Sequence, residues 1–542
     1  MITGIPQTGT GRLFFERVNA RGEGADELVP ADHLIDWGDK PYGFKLYNDP
    51  VSIALPAPKR LSEAAVFGSP IEKLSSLLCL LGAPLYRKMS INWNDGSTAG
   101  TGHADQQYSR ATASGGGLYP AEFYLCIEGI PALRPGVFHY NGVQHSLVQI
   151  APGPAATRVR GALPEGAANC SVYLLVSIEF WKSAFKYHNF AYHVCGQDAG
   201  AAVATAAHAC AELGIGLEVH FWFEDRAVNQ IAGLDTAGES VYVVLGLEMD
   251  PAPPLVLERD EQEQPGRVNG LGAIPGAGGP VERQRSMRTF VTPILEQVHV
   301  SSLITGEELA GIRLEPAAHE DDLRRQSAAQ QSSSWIFERR SSWGGMRSHP
   351  DLKESALLQF LNRVVDEIVF ARSLERLLVS STGSSVTGAD LLRFVVFANH
   401  VAGLERGLYR YSEGTSTLVP YGPPEAAEMY LQQFYRLDNY NWEQASCLLF
   451  PVGGVAKALE SYGDRGVRIL NMQAGIAAQT TYRVSAQSGL ECGAVLGLRL
   501  LSLNRWLQLE EGTETVLVAL LLGNGLGNIQ LFDTFFQHEL TL

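Results

Sequence analysis

Short apolar runs of strand-like composition recur along the chain, and two long stretches of small residues lie between them. Residues 122–128, 171–180 and 240–247 read as strands, and so do 393–399, 446–452 and 514–522. The stretches 198–213 (DAGAAVATAAHACAEL) and 473–488 read as helices, each with a glycine in the position that ends a helix in the left-handed conformation. Small side chains let a neighbouring backbone come close, so both helices are expected to be packing axes. Strands and helices interleave, which predicts an α+β unit with a mixed sheet flanked by helices.

Between residues 251 and 280 this pattern breaks. Proline and glycine follow at short intervals (PAPPLVLERDEQEQPG, then VNGLGAIPGAGGP), which excludes helix and strand alike. Apolar periodicity returns over 290–305, and 319–334 is polar again. The expected organisation is an N-terminal domain at 1–250, a Pro/Gly-rich linker with a short helical segment at 251–334, and a C-terminal domain at 335–542.

The two domains read as diverged copies. Residues 185–230 lie over 460–505 without a gap, a shift of 275 (460 − 185). Tyr187 then meets Tyr462, Gly200 meets Gly475, Thr205 meets Thr480 and Asn229 meets Asn504. At a shift of 271 (385 − 114), Ser114, Gly117, Phe123, Gly136 and Tyr140 meet Ser385, Gly388, Phe394, Gly407 and Tyr411. Two colinear segments at nearly one shift predict a tandem duplication.

Composition narrows the class. The chain has 542 residues, 45% hydrophobic and 18% charged, which suits a folded protein of roughly two to four domains. Its formal charge of −16, with no Lys/Arg run, repels a phosphate backbone and argues against nucleic acid. No apolar stretch approaches the ~20 residues of a spanning helix, so no membrane partner is expected. The first residues lack the plan of a signal peptide, and seven scattered cysteines form neither a disulfide framework nor a zinc pattern. A reducing, cytoplasmic compartment and a metal-free site are expected.

Chemistry is suggested first by Ser114-Gly115-Gly116-Gly117-Leu118-Tyr119-Pro120, with Arg110 before it. A glycine run before a strand lets backbone N–H groups lie against a flat or phosphorylated ligand. Spacing alone favours a flexible surface loop, and it makes Lys186-Tyr187 an ordinary lysine beside a core tyrosine. A P-loop is excluded, since no Gly-Lys-Ser/Thr follows.

SRATASGGGLYPAEFYLCI followed by GVFHYNGVQHSL resembles the pattern of the SagB/ThcOx-type flavin dehydrogenases, a branch of the nitroreductase superfamily. DWGDKPYGFKLY, AFKYHNFAYHVCGQDAG and LGIGLEVHFWFEDRAVNQIAGLD resemble further segments of that branch, so the likeness covers most of residues 30–250 in order. The resemblance implies a nitroreductase fold built twice as an intrachain pseudo-dimer, with FMN at the interface of the halves. The implied activity is oxidation of thiazolines and oxazolines in peptides to thiazoles and oxazoles, with O₂ as acceptor. It implies a modified peptide substrate, leader-bearing or carrier-bound, and a cyclodehydratase partner, and it is compatible with a higher homo-oligomer.

Residue by residue, the resemblance implies Lys186 and Tyr187 as the catalytic pair. It implies cofactor contacts from Arg110, Ser114, Gly115, Gly116, Leu118 and Tyr119. Aromatising an azoline removes a proton from Cα, and a lysine held beside a flavin is a suitable base. In the second copy Arg339 and Ser341 resemble the phosphate-binding R-x-S segment of nitroreductases, where guanidinium pairs with phosphate. The next position of that pattern, usually basic, is Trp343, with Arg347 as a substitute. Gly497 stands where such folds bring backbone close to flavin N5, while the first copy has Trp222 there.

The copies are degraded in complementary ways. Only the first keeps the glycine run and Lys186, whose counterpart is Ser461, and only the second keeps Arg339-x-Ser341. One competent site and one dead twin are expected. Two other readings compete: an NAD(P)H-dependent nitro- or quinone reductase, and a flavin-free scaffold of a heterocycle synthetase. A yellow purified protein would separate enzyme from scaffold.

Overall fold

The computed structural model describes residues 9–23, 26–91, 104–131, 133–249, 280–310, 312–314, 352–375, 378–380, 385–386, 391–437, 439–525 and 532–535. Two seven-stranded sheets dominate it. The first takes its strands in the order Ser52–Ala54, Ser146–Pro152, Gly136–Asn141, Ala121–Ile127, Val172–Glu179, Glu239–Glu248, Gly216–His220. The second runs Thr417–Tyr421, Gly407–Ser412, Leu392–Ala398, Cys447–Gly454, Ala519–Gly523, Glu491–Val495, with Glu514–Val516 also paired to Cys447–Gly454. From Ser146–Pro152 onward the first order repeats in the second.

One expectation is corrected. The sheets are not mixed: every described pairing within them is antiparallel. The strand after each long helix returns to the sheet edge against the last strand, not beside the strand that precedes the helix. No helix of these sheets therefore joins neighbours that run in the same direction, which is what a parallel pair would need. Ala121–Ile127 and Val172–Ile178 are buried at every position, because the long helices cover one face and the short helices Ala155–Arg160 and Asp225–Ala232 the other. That burial explains their unbroken apolar runs.

The two long helices are Ala191–Leu213 and Gly466–Gln487. Each begins seven residues before its expected start (198 − 191; 473 − 466), entered directly from a 3₁₀ turn at His188–Phe190 or Gly463–Arg465. No capping side chain marks these starts, so local sequence does not reveal them. The helices cross at glycines. A Cβ on Gly200 would run into the Met472 carbonyl, and one on Gly475 into the Gln197 carbonyl. Since 197 and 472 also differ by 275, the two contacts are reciprocal, the signature of a two-fold interface.

The duplication extends to hydrogen bonds. Asn229 Oδ1 accepts from Val241 N at 2.8 Å and its Nδ2 donates to Ser240 Oγ at 2.9 Å. Asn504 repeats this with Val516 N at 3.1 Å and Thr515 Oγ1 at 3.0 Å. Each asparagine ties a helix to the start of the last strand. A single hydrophobic cluster runs through both halves, from Phe14 to Leu521. Polar stitches join them too: Gln197 Nε2 donates to Leu517 O at 3.0 Å, and Gln479 bonds both Ala113 N (2.9 Å) and Ala111 O (3.1 Å). All seven cysteines are buried. Among the described residues no helix is long and apolar enough to cross a membrane, and no side-chain cluster could hold a metal ion.

Candidate active site at the glycine loop

The glycine run forms one 3₁₀ turn, Gly115–Gly117, lying on the first long helix. Asp198 of that helix anchors it. Ser114 Oγ lies 2.6 Å from Asp198 Oδ2, and Gly115 N donates to Oδ1 at 2.8 Å. Ser114 Oγ accepts in turn from Tyr119 N at 2.9 Å, and Tyr119 Oη accepts from Arg110 N at 3.2 Å. This chain of bonds holds Tyr119 at φ 52°, a left-handed conformation unusual for a bulky residue. Gly116 (φ 65°) and Gly117 (φ 66°) share that conformation without strain.

Lys186 and Tyr187 end the short helix Trp181–Tyr187 and turn onto this loop. A Cβ on Gly116 would collide with Tyr187 Oη and stand 3.0 Å from Lys186 Nζ. The loop is glycine here because the side chains of Lys186 and Tyr187 press against its backbone. Both are half-buried. Lys186 Nζ lies 4.9 Å from the Tyr187 ring centre and 5.6 Å from that of Trp37. Trp37 Nε1 beside them is enclosed and has no protein hydrogen-bond partner.

An N-terminal segment carries Trp37 to this place, fastened by the chain that follows the 251–279 stretch. The Asp39 carboxylate accepts from Met287 N (2.7 Å) and Arg288 N (2.8 Å), which holds its pKa below the ordinary value. Ser286 Oγ accepts from Trp181 Nε1 at 2.9 Å. Phe290 stacks on His188 with ring centres 4.7 Å apart and planes 6° from parallel. Residues 280–292 thus form a strap over the end of the Lys186 helix.

The other expected residues fall as follows. Arg110 is buried beneath the loop, between Phe44 and Tyr119, and donates to Gly43 O (3.2 Å) and Ala121 O (3.4 Å). It supports the loop from below. Leu118 closes the 3₁₀ turn and is half-buried. Gly497 packs against Tyr435 and Leu437, whose atoms a Cβ would approach to 3.2 and 3.3 Å. From there the path toward Tyr187 runs through Arg436, Asp26 and Arg21. Arg436 N donates to Gly497 O at 2.8 Å, both arginines pair with Asp26, and Arg21 lies 3.8 Å over the Phe190 ring. Burial, with Arg436 nearby, brings the Arg21 pKa down to about 10. Arg339 and Ser341 lie outside the described residues. Sequence reasoning missed Asp198 and Arg21; the carboxylate inside an alanine-rich helix was the one available signal for the former.

The twin position is filled. Trp222, which replaces Gly497 at the shift of 275, is buried with its ring centre 6.3 Å from that of Tyr462. Arg465 stands 5.8 Å from the indole centre and, with Arg468, bonds the buried Asp225 at 2.6 and 2.9 Å. What space remains among His220, Trp222, Glu375 and Tyr462 holds roughly one water molecule.

The nitroreductase family model matches residues 70–247 and 357–524, one match per copy and more than half of the chain. The chain belongs to the nitroreductase family. A nitroreductase-family structure from Anabaena variabilis superposes on 95% of this chain and 99% of its own, with TM-score 0.66 and 21% identity. That likeness shows the tandem nitroreductase fold within a single chain. Two others are partial: a nitroreductase-family protein from Ralstonia eutropha (14% identity, 42% of this chain, 99% of its own, TM-score 0.25) and the Escherichia coli microcin synthetase McbBCD complex with truncated pro-MccB17 (18%, 46%, 95%, TM-score 0.26). No curated protein matches the chain. Nitroreductases are flavin-type oxidoreductases that generally bind FMN. The donors here suit such a ring: Lys186 Nζ and Tyr187 Oη lie against the glycine turn, with the unpartnered Trp37 Nε1 on the ring beside Lys186.

Proposed function

We propose that this nitroreductase-family chain dehydrogenates peptide-embedded azolines to azoles, with FMN held at the glycine loop and one competent site per chain. The observation that carries the reading is the convergence of Lys186 and Tyr187 on the backbone of Gly116. A bound flavin would supply the acceptor of two electrons. Ser114, Gly115, Gly116, Leu118 and Tyr119 would line its ring, Gly497 would approach it from the second copy, and Arg339 and Ser341 would hold its phosphate.

Lys186 Nζ, as the free amine, would accept the proton from the azoline Cα. Trp37 bounds the space above that amine, and its Nε1–H can hold a carbonyl of the substrate peptide. Tyr187 Oη can donate to the heterocycle and fix its orientation against the loop. The strap at 280–292 holds Trp181 and His188, which bracket the helix turn that carries Lys186 and Tyr187. In the twin, Ser461 has no basic atom and Trp222 fills the space.

Purified protein, an azoline-bearing peptide and mass spectrometry test this, since each aromatised ring loses two mass units. Lys186→Ala should retain flavin and bind the peptide, yet turn over about 10²–10⁴-fold more slowly, the usual weight of a general base. Lys186→Arg should be nearly as impaired, because a guanidinium stays protonated. Tyr187→Phe should lose less. Wild-type turnover by Lys186→Ala would exclude this base.

A further inference from the structure

Asp198 is a fully buried carboxyl that the reaction outlined above leaves unused. It sits mid-helix directly beneath the glycine loop, and a Cβ on Gly115 would come within 3.6 Å of its Oδ1. Its two bonds, to Ser114 Oγ and Gly115 N, begin the chain that fixes Tyr119 and hence the shape of the loop. The second copy supplies an internal control. At the matching place stands the amide Gln473, and there the glycine run has become Ser-Val-Thr-Gly-Ala-Asp-Leu at 385–391. The carboxyl survives only where the loop does.

We propose that Asp198 is a positioning residue that couples the glycine loop to proton binding: the neutral carboxyl lets the loop lie flat on the helix, and ionisation draws water in and loosens it. The inference concerns the site assigned above but not its chemistry. Burial pushes the Asp198 pKa up to about 7, outweighing the bonds from Ser114 and Gly115 and the charge of Arg110, all of which favour the anion. The other titratable groups facing it are Cys195 one turn earlier on the same helix, Tyr119 through Ser114, and Lys186 with Tyr187 across Gly116; Gln479 from the second long helix adds no charge. Opening the loop would return the carboxyl to water, where an aspartate titrates near 3.9. The closed loop therefore holds the proton more tightly than the open one. Its advantage is greatest in acid and is lost as pH rises through about 7.

Hydrogen exchange of the loop amides in cofactor-free protein, corrected for intrinsic rates, reads this directly. Protection at Gly115–Gly117 should be about tenfold lower at pH 8 than at pH 6, as linkage to one group titrating near 7 requires. Asp198→Asn, always neutral, should show no such step. Ser114→Ala removes a bond that favours the anion, so its step should move to higher pH. This second variant decides the matter if Asp198→Asn does not fold. Equal wild-type protection at the two pH values, an unchanged step in Asp198→Asn, or an unmoved midpoint in Ser114→Ala would each overturn the coupling. A colourless protein that keeps the step would instead sink the flavin reading and leave this inference standing.

Discussion

His188 holds φ 49° and ψ −132°, a region that side chains other than glycine rarely enter. Its counterpart 275 residues on is Gly463, at φ 57° and ψ −149°. Both copies need this sharp turn between the short helix and the long one, but only the first places an imidazole there. Strain of about 1–3 kcal/mol persists only where neighbours enforce it. Here they are Phe290, stacked on the ring, and His33, with ring centres 5.5 Å apart. His188→Gly would relieve the strain but lose the stacking and gain chain entropy in the unfolded state, terms of about 1 kcal/mol each. We expect a net change within about 1 kcal/mol by urea denaturation, alongside a strap more open to protease at 280–292. Gly463→Ala, which adds the strain and brings no ring that could be stacked, should destabilise by about 1–3 kcal/mol. Neither requirement was legible in the sequence, because a turn conformation that only glycine favours cannot be inferred where histidine stands. Lys186 and Tyr187 were singled out by the resemblance of their segment, since spacing alone made them an ordinary lysine beside a core tyrosine; their meeting at Gly116 is visible only in the fold.

At the scale of elements, the glycine crossing decides how closely the halves approach. A methyl group at Gly200 meets backbone rather than a movable side chain, so the helices themselves would have to part. Gly200→Ala and Gly475→Ala should each destabilise by about 1–3 kcal/mol. The double variant should fall short of their sum, because the first substitution already opens the crossing that the second would strain. Denaturant midpoints of the three variants check both statements. The two helices and their role as axes were readable from their small residues. The antiparallel order of the sheets was not: strand composition reports burial, whereas the partner of an edge strand is set by where a distant helix delivers it. The purpose of Arg110 was hidden in the same way, since a sequence cannot distinguish an arginine reaching for phosphate from one bonded to carbonyls under a loop.

For the whole molecule, asymmetry between the copies is the testable property. Heat-released flavin should number one per chain, and two would exclude the filled twin. Trp222→Gly should not add flavin by itself, because Arg465 still crowds that position and the second copy lacks the glycine run. A second equivalent bound by that variant would mean the indole alone closes the twin. The period of 275 residues made the pseudo-dimer legible. The clasp of Asp225 with Arg465 and Arg468 was not, because its members lie 240 and 243 residues apart and acquire meaning only when the halves meet.

The reciprocal glycine contacts mark an interface with the geometry of two identical subunits. In such an assembly every substitution is made twice, and a tryptophan at position 222 would shut both sites at once. Fusing the subunits into one polypeptide removes that constraint. Each copy can then be altered alone, and a change lethal to a symmetric ancestor becomes harmless while its partner keeps the glycine. Linkage also makes the process a ratchet. With the lysine on one copy and the open backbone on the other, neither half released from this chain could pair with itself to rebuild a complete site.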